Sequence, residues 1–118
     1  MGLDVLAVER LPKKGDSFVP VVHDEELEKI DVARGIFTLG VPDTGEKGSG
    51  IRGGVYASWV EQMTGYSLYE SHDADDVAKI AAGLDAAVQI GVTQEWAPNV
   101  AAWFRRCADQ GYALFAWS

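Results

Sequence analysis

Residues 71–91 constrain the fold more than any other stretch, because they spell one amphipathic helix with both ends marked. Ser71 or Asp73 can cap its start, and Asp75 and Asp76 then lie at the positive end of its dipole. Val77, Ile80, Ala81, Leu84 and Val88 recur at helical spacing, and Gly91 ends the run. Such a stripe must be buried against another element.

Upstream the pattern is that of strands. Residues 3–11 form a short run, apolar on both faces, that stops at Pro12, which predicts a central strand. Lys13-Lys14-Gly15-Asp16 turns the chain. Ser17-Phe18-Val19-Pro20-Val21-Val22 predicts a second strand, and Pro20 demotes it to an edge. The acidic residues 24–31 form one helical turn or a loop, and Gly35-Ile36-Phe37-Thr38-Leu39 predicts a third short strand.

Residues 40–54 are dense in glycine and read as a long loop. The period then changes. Val55, Tyr56, Trp59, Val60 and Met63 predict a helix with Gly65 as its left-handed cap, and Tyr66-Ser67-Leu68-Tyr69 predicts a short extended piece. A last helix starts near Thr93, with Pro98 in or near its first turn. Trp96, Val100, Trp103, Phe104 and Cys107 lie on one face, and Gly111 stops it. Residues 112–117 alternate like a closing strand. Strands, then helices, then a strand predict an α+β fold: a small sheet including the N- and C-terminal strands, packed against about three helices.

The 118 residues make one domain, 1–118, long enough to bury a core without metal or disulfide staples. Cys107 is the only cysteine, which excludes an internal disulfide and a cysteine-based zinc site. The formal net charge of -8 argues against direct nucleic-acid binding, which needs a lysine and arginine footprint. No run is long and apolar enough for a membrane span, and the N-terminus lacks the pattern of a signal peptide, so the expected setting is the cytoplasm.

Gly48-Ser49-Gly50-Ile51-Arg52-Gly53 matches G-x-G-x-x-G ahead of a helix, but no strand is expected before it, and no nucleotide or other cofactor is implied. A plainer anion site remains, from free amides at the helix start beside Arg52. The ligand reading therefore gathers Arg52, Gly53, Gly54, Tyr56 and His72. His23-Asp24 and His72-Asp73 carry metal-ligating groups, yet two histidines are too few for the metal phosphohydrolases that use such pairs, and no metal is expected. Cys107 reads as core, and Ser58, Ser67 and Ser71 have no nucleophile-elbow setting, so no catalytic residue is assigned. Four tryptophans in so short a chain suggest that one aromatic patch stays exposed among acids. The interaction reading takes Trp59, Asp73, Asp75, Asp76 and Trp117.

The opening Met1-Gly2-Leu3-Asp4-Val5, the helix entered through Ile51-Arg52-Gly53-Gly54-Val55-Tyr56-Ala57-Ser58-Trp59, its Gly65-Tyr66 end, the acid-capped helix 73–88 and the final Gly111-Tyr112-Ala113-Leu114-Phe115 go together. Jointly they resemble a loose group of small uncharacterised bacterial and phage proteins. The resemblance implies a cytosolic setting, in the protein's own cell or in a host's, and no activity. Two functions are expected in turn. The first is a non-enzymatic protein-interaction domain with a basic partner, in a phage setting an inhibitor of a host defence complex. The second is a small-anion or metal-dependent ligand-binding protein or enzyme, built around the 48–54 loop and His72.

Overall fold

Strand β1 (Asp4–Val8) holds the molecule together because both of its faces are apolar. Val5 and Ala7 point into the main core, and Leu6 and Val8 enter a smaller cluster on the opposite face. The computed structural model describes residues 3–16, 19–37 and 47–117. Met1 and Gly2, Ser17 and Phe18 of the expected second strand, Thr38 and Leu39 of the third, and residues 40–46 lie outside the described residues.

The other elements are helix α1 (Glu25–Glu28), strands β2 (Ala33–Phe37) and β3 (Lys47–Arg52), helices α2 (Gly53–Thr64), α3 (Ala74–Ile90) and α4 (Ala97–Asp109), and strand β4 (Ala113–Trp117). The sheet runs β2-β3-β1-β4 with every neighbour antiparallel. Both terminal strands are therefore in one sheet. β1 pairs with β4 from Asp4↔Trp117 to Val8↔Ala113, and with β3 from Asp4↔Arg52 to Leu6↔Gly50. The three long helices supply the main core from one face of this α+β sheet, and α3 packs against both α4 and α2.

Three expectations need correction. The stretch read as a loop over 40–54 contains strand β3, and α2 begins at Gly53 without any connecting segment. Its glycines mark close packing: a Cβ at Gly48 would lie 3.1 Å from both Leu6 Cδ2 and Val21 Cβ. Residues 19–22 of the expected second strand make a single bridge, Val8↔Val21. Pro20 has no amide, and the Val21 amide turns back to the Val19 carbonyl at 2.8 Å, so no ladder can grow there. Residues 66–69 form a turn instead of an extended piece, with the Tyr69 amide donating to Ser67 Oγ at 3.2 Å.

Segment 20–22 instead fills the fork where β1 and β3 diverge. The Glu9 amide donates to the Pro20 carbonyl, the Val22 amide to Ala7, and the Ser49 amide to Val22, all at 2.7–3.0 Å. Val19 and Val21 thereby pack over Leu6 and Val8 on the outer face of the sheet.

The helices follow local rules. Asp73 caps α3 by accepting from the Asp76 amide at 2.9 Å, and Val77, Ile80, Ala81 and Leu84 are buried. Gly65 ends α2 at φ 79°, the left-handed conformation that glycine adopts without strain. α4 starts at Ala97, later than expected, with Pro98 in its first turn. Trp59 and Trp103 are buried, whereas Trp96 and Trp117 are half-buried. Trp96 meets the edges of Tyr56 and Trp59 at centroid distances of 4.9 and 5.4 Å. Trp103 packs on Phe104, and its buried indole N–H has no hydrogen-bond partner among the described residues.

Candidate functional site

The polar centre with the most partners is Asp24. Its side chain, only 5% exposed, accepts from Arg106 Nε at 3.1 Å, Arg106 Nη2 at 3.3 Å, the Tyr112 hydroxyl at 2.8 Å and the Glu26 amide at 2.9 Å. Four donors use up the accepting capacity of one carboxylate. Burial alone would raise its pKa, but the Tyr112 and Arg106 hydrogen bonds outweigh burial and hold the group below its ordinary range. Burial and the Asp24 carboxylate push Tyr112 up to about 12. The Asp24 amide also donates to the buried Ser49 Oγ at 2.9 Å. This is a latch joining α1, α4 and β3, with its donors and acceptors already committed to one another. Cys107 lies beside it, and burial raises its thiol well above the usual range, which leaves it inert.

His72 forms the second centre. Its ring is buried, and Nε2 lies 2.7 Å from the Ser67 carbonyl, so Nε2 carries the proton and donates it. Nδ1 faces Asp76 Oδ2 at 3.7 Å, and Tyr66 stacks edge-on against the ring. The His72 backbone exchanges two hydrogen bonds with Leu114, at 2.9 and 2.8 Å, and Ser71 Oγ accepts from the Ala116 amide at 3.0 Å. Residues 71–72 thus cover the outer edge of β4.

Beside this centre a groove of about 210 Å³ opens between α2 and the 67–69 turn, lined by Gly54, Ala57, Ser58, Glu61, Ser67 and Tyr69. Tyr69 is 61% exposed, and Val55 on the same helix is 64% exposed. From Gly53 to Ala78 the chain carries Glu61, Glu70, Asp73, Asp75 and Asp76 and neither lysine nor arginine. Glu61 is the one charged residue of the groove's lining, and the other carboxylates belong to the same stretch of chain without lining it.

The five residues of the ligand reading do not converge. Gly54 lines the groove, but Arg52 is exposed on the outer face of the sheet, opposite Asp4. Gly53 is buried against Leu3 and Val5, Tyr56 is buried under Trp96, and His72 lies beneath the 67–69 turn. Of the interaction residues, Trp59 is buried, Asp73 is a helix cap, Asp75 is exposed, Asp76 faces His72, and Trp117 stacks at 6.5 Å on Phe115. His23 is separate from all of these, 3.2 Å from Glu28 at the surface. Among the described residues no group of three or more metal-ligating side chains could hold an ion, and no helix is long and apolar enough to cross a membrane.

Sequence reasoning missed the Asp24 latch and the groove. The latch residues are separated by 82 and 88 positions, and nothing local in the chain announces their meeting. The groove had one readable signal, the long acidic stretch without a base. No protein-family model, curated protein or solved structure matches the chain.

Proposed function

We propose that the protein is a small acidic, non-enzymatic interaction domain whose groove between α2 and the 67–69 turn receives a basic segment of a partner protein. The observation that carries this reading is the position of an open, half-apolar groove within a stretch that has five carboxylates and no basic side chain. A lysine or arginine entering it can pair with Glu61 while its stem lies along the exposed Tyr69 ring. The Ser58 and Ser67 hydroxyls offer further hydrogen bonds. Asp75, exposed at the start of α3, adds long-range attraction that steers encounter. The setting that goes with this function is the cytoplasm, of the protein's own cell or of a phage host. In a phage setting the partner surface is the nucleic-acid-binding face of a host defence complex, which is basic by necessity.

Titration with a peptide alternating lysine or arginine with leucine, followed by backbone amide shifts, tests the proposal. The expected shifts cluster at residues 54–61 and 67–70, and binding weakens as salt rises. Glu61→Lys slows association at least about tenfold, whereas Tyr69→Ala mainly speeds dissociation. Equal affinity for Glu61→Lys and the parent, or shifts confined to another face, would overturn the reading.

A further inference from the structure

The outer face of the sheet, on the side away from the helices, is built differently from the groove. Segment 19–22 and Leu11 cover Leu6, Val8 and Ala113, yet Phe115 and Trp117 remain half-buried at the end of that cover. The pairing registers arrange this face in rows. One row runs Arg34, Gly50, Leu6, Phe115, and the next runs Arg52, Asp4, Trp117. Residues paired in this way point to the same side of the sheet. A row with an arginine position at one end and an aromatic at the other therefore lies beside a row with one cation, one anion and one tryptophan. Arg52 is exposed and Asp4 half-buried, and neither forms an ion pair within the described protein.

We propose that this face is a docking surface for a second copy of the chain, in a two-fold symmetric dimer. A two-fold contact demands a patch complementary to itself: whatever residue i meets on the partner, its counterpart must meet in return. A row carrying both Arg52 and Asp4 meets that condition. Turned face to face about an axis along the strands between β3 and β1, Arg52 of each copy meets Asp4 of the other, and Trp117 of each copy comes to lie beside the other's Arg52. Both charges are needed, because a face with only one sign would repel its own copy. Tryptophan and arginine are also the residue types that anchor interfaces most often. The groove lies on the helical side, so such a dimer would present two grooves facing outward.

Sedimentation velocity on three proteins tests this: the parent, Arg52→Asp and Asp4→Arg. The parent should dimerise reversibly at protomer concentrations up to about 100 μM. Arg52→Asp leaves two acids and no base in that row and Asp4→Arg two arginines, so each variant alone should associate at least about tenfold more weakly than the parent. Mixed together, they should restore the dimer as a heterodimer, since both cross-pairs are again opposite in sign. Trp117→Ser should weaken association without altering the charge pattern. Far-ultraviolet circular dichroism confirms that each variant is folded. A parent that stays monomeric, charge variants that dimerise alone, or a mixture that fails to associate would each overturn the proposal. Peptide binding at the groove is read separately, so either idea can fail without the other.

Discussion

Removing the Asp24 carboxylate should destabilise the protein by about 3 kcal/mol, and the figure follows from the donors it would abandon. In Asp24→Ala the Tyr112 hydroxyl loses a partner at 2.8 Å that bears a charge, and such bonds contribute about 1.5–3 kcal/mol. The Glu26 amide loses its helix cap, which typically costs about 1 kcal/mol. Arg106 keeps 34% exposure, turns to water, and adds little. At roughly 3–5 °C per kcal/mol for a chain of this size, the melting temperature should fall by roughly 10 °C. Urea denaturation followed by tryptophan fluorescence gives the free energy directly, and Tyr112→Phe should recover about 1 kcal/mol of the same loss.

The pH dependence supplies a second readout of the same latch. Asp24 has a lowered folded-state pKa, so its contribution is present above its ordinary value of 3.8 and lost as pH falls below it. Tyr112 is raised from 10.0 to about 12, so its contribution is present below pH 10.0 and lost as pH climbs between those values. In Asp24→Ala the acid loss should vanish with the carboxyl, and the alkaline loss should shrink without disappearing, because burial, the larger cause of the Tyr112 shift, remains. A variant within about 0.5 kcal/mol of the parent, with unchanged acid and alkaline limbs, would refute the reasoning.

Two further substitutions probe the packing. Leu84→Ala empties a fully buried position on α3 and should cost about 2–5 kcal/mol in the same urea assay. Gly53→Ala would place a Cβ 2.5 Å from Val5 Cγ2 and 2.9 Å from Leu3 Cδ2, and should cost about 1–3 kcal/mol. Its neighbour Gly54 meets nothing closer than 3.9 Å, so Gly54→Ala should be neutral or stabilise by up to about 1 kcal/mol. Equal effects at the two glycines would show that Gly53 is not in close contact with β1.

Helix α3 was legible because everything that defines it is local: the Asp73 cap, the acids of the first turn and a stripe at helical spacing. Strand β1 and its central place were legible for a similar reason, since only a strand covered on both sides is apolar on both. β3 was not, because the reason for its glycines lies at Leu6 and Val21, far away in the chain, and a loop has the same composition. The expected aromatic patch needed the same kind of information. Trp59 and Trp117 look alike in sequence, but α4 brings Trp96 over the first, and nothing from the helices covers the second. The latch could not be read at all: an aspartate after a histidine, an arginine on a helix and a tyrosine before a strand are each ordinary alone.

The pairing of β1 with β4 also has a consequence during synthesis. β1 leaves the ribosome ahead of the other strands of this sheet and receives β4 only when residues 113–117 follow, so one edge of Val5–Val8 stays unpaired while the residues between them are made. At about 5–20 residues per second that interval lasts roughly 5–20 seconds, ample for an apolar strand to meet another nascent chain. The helices α3 and α4 are adjacent in sequence and can associate before that moment, whereas the sheet cannot. The sheet is therefore completed only once residues 113–117 have emerged, and β1 is the segment that most needs chaperone protection until then.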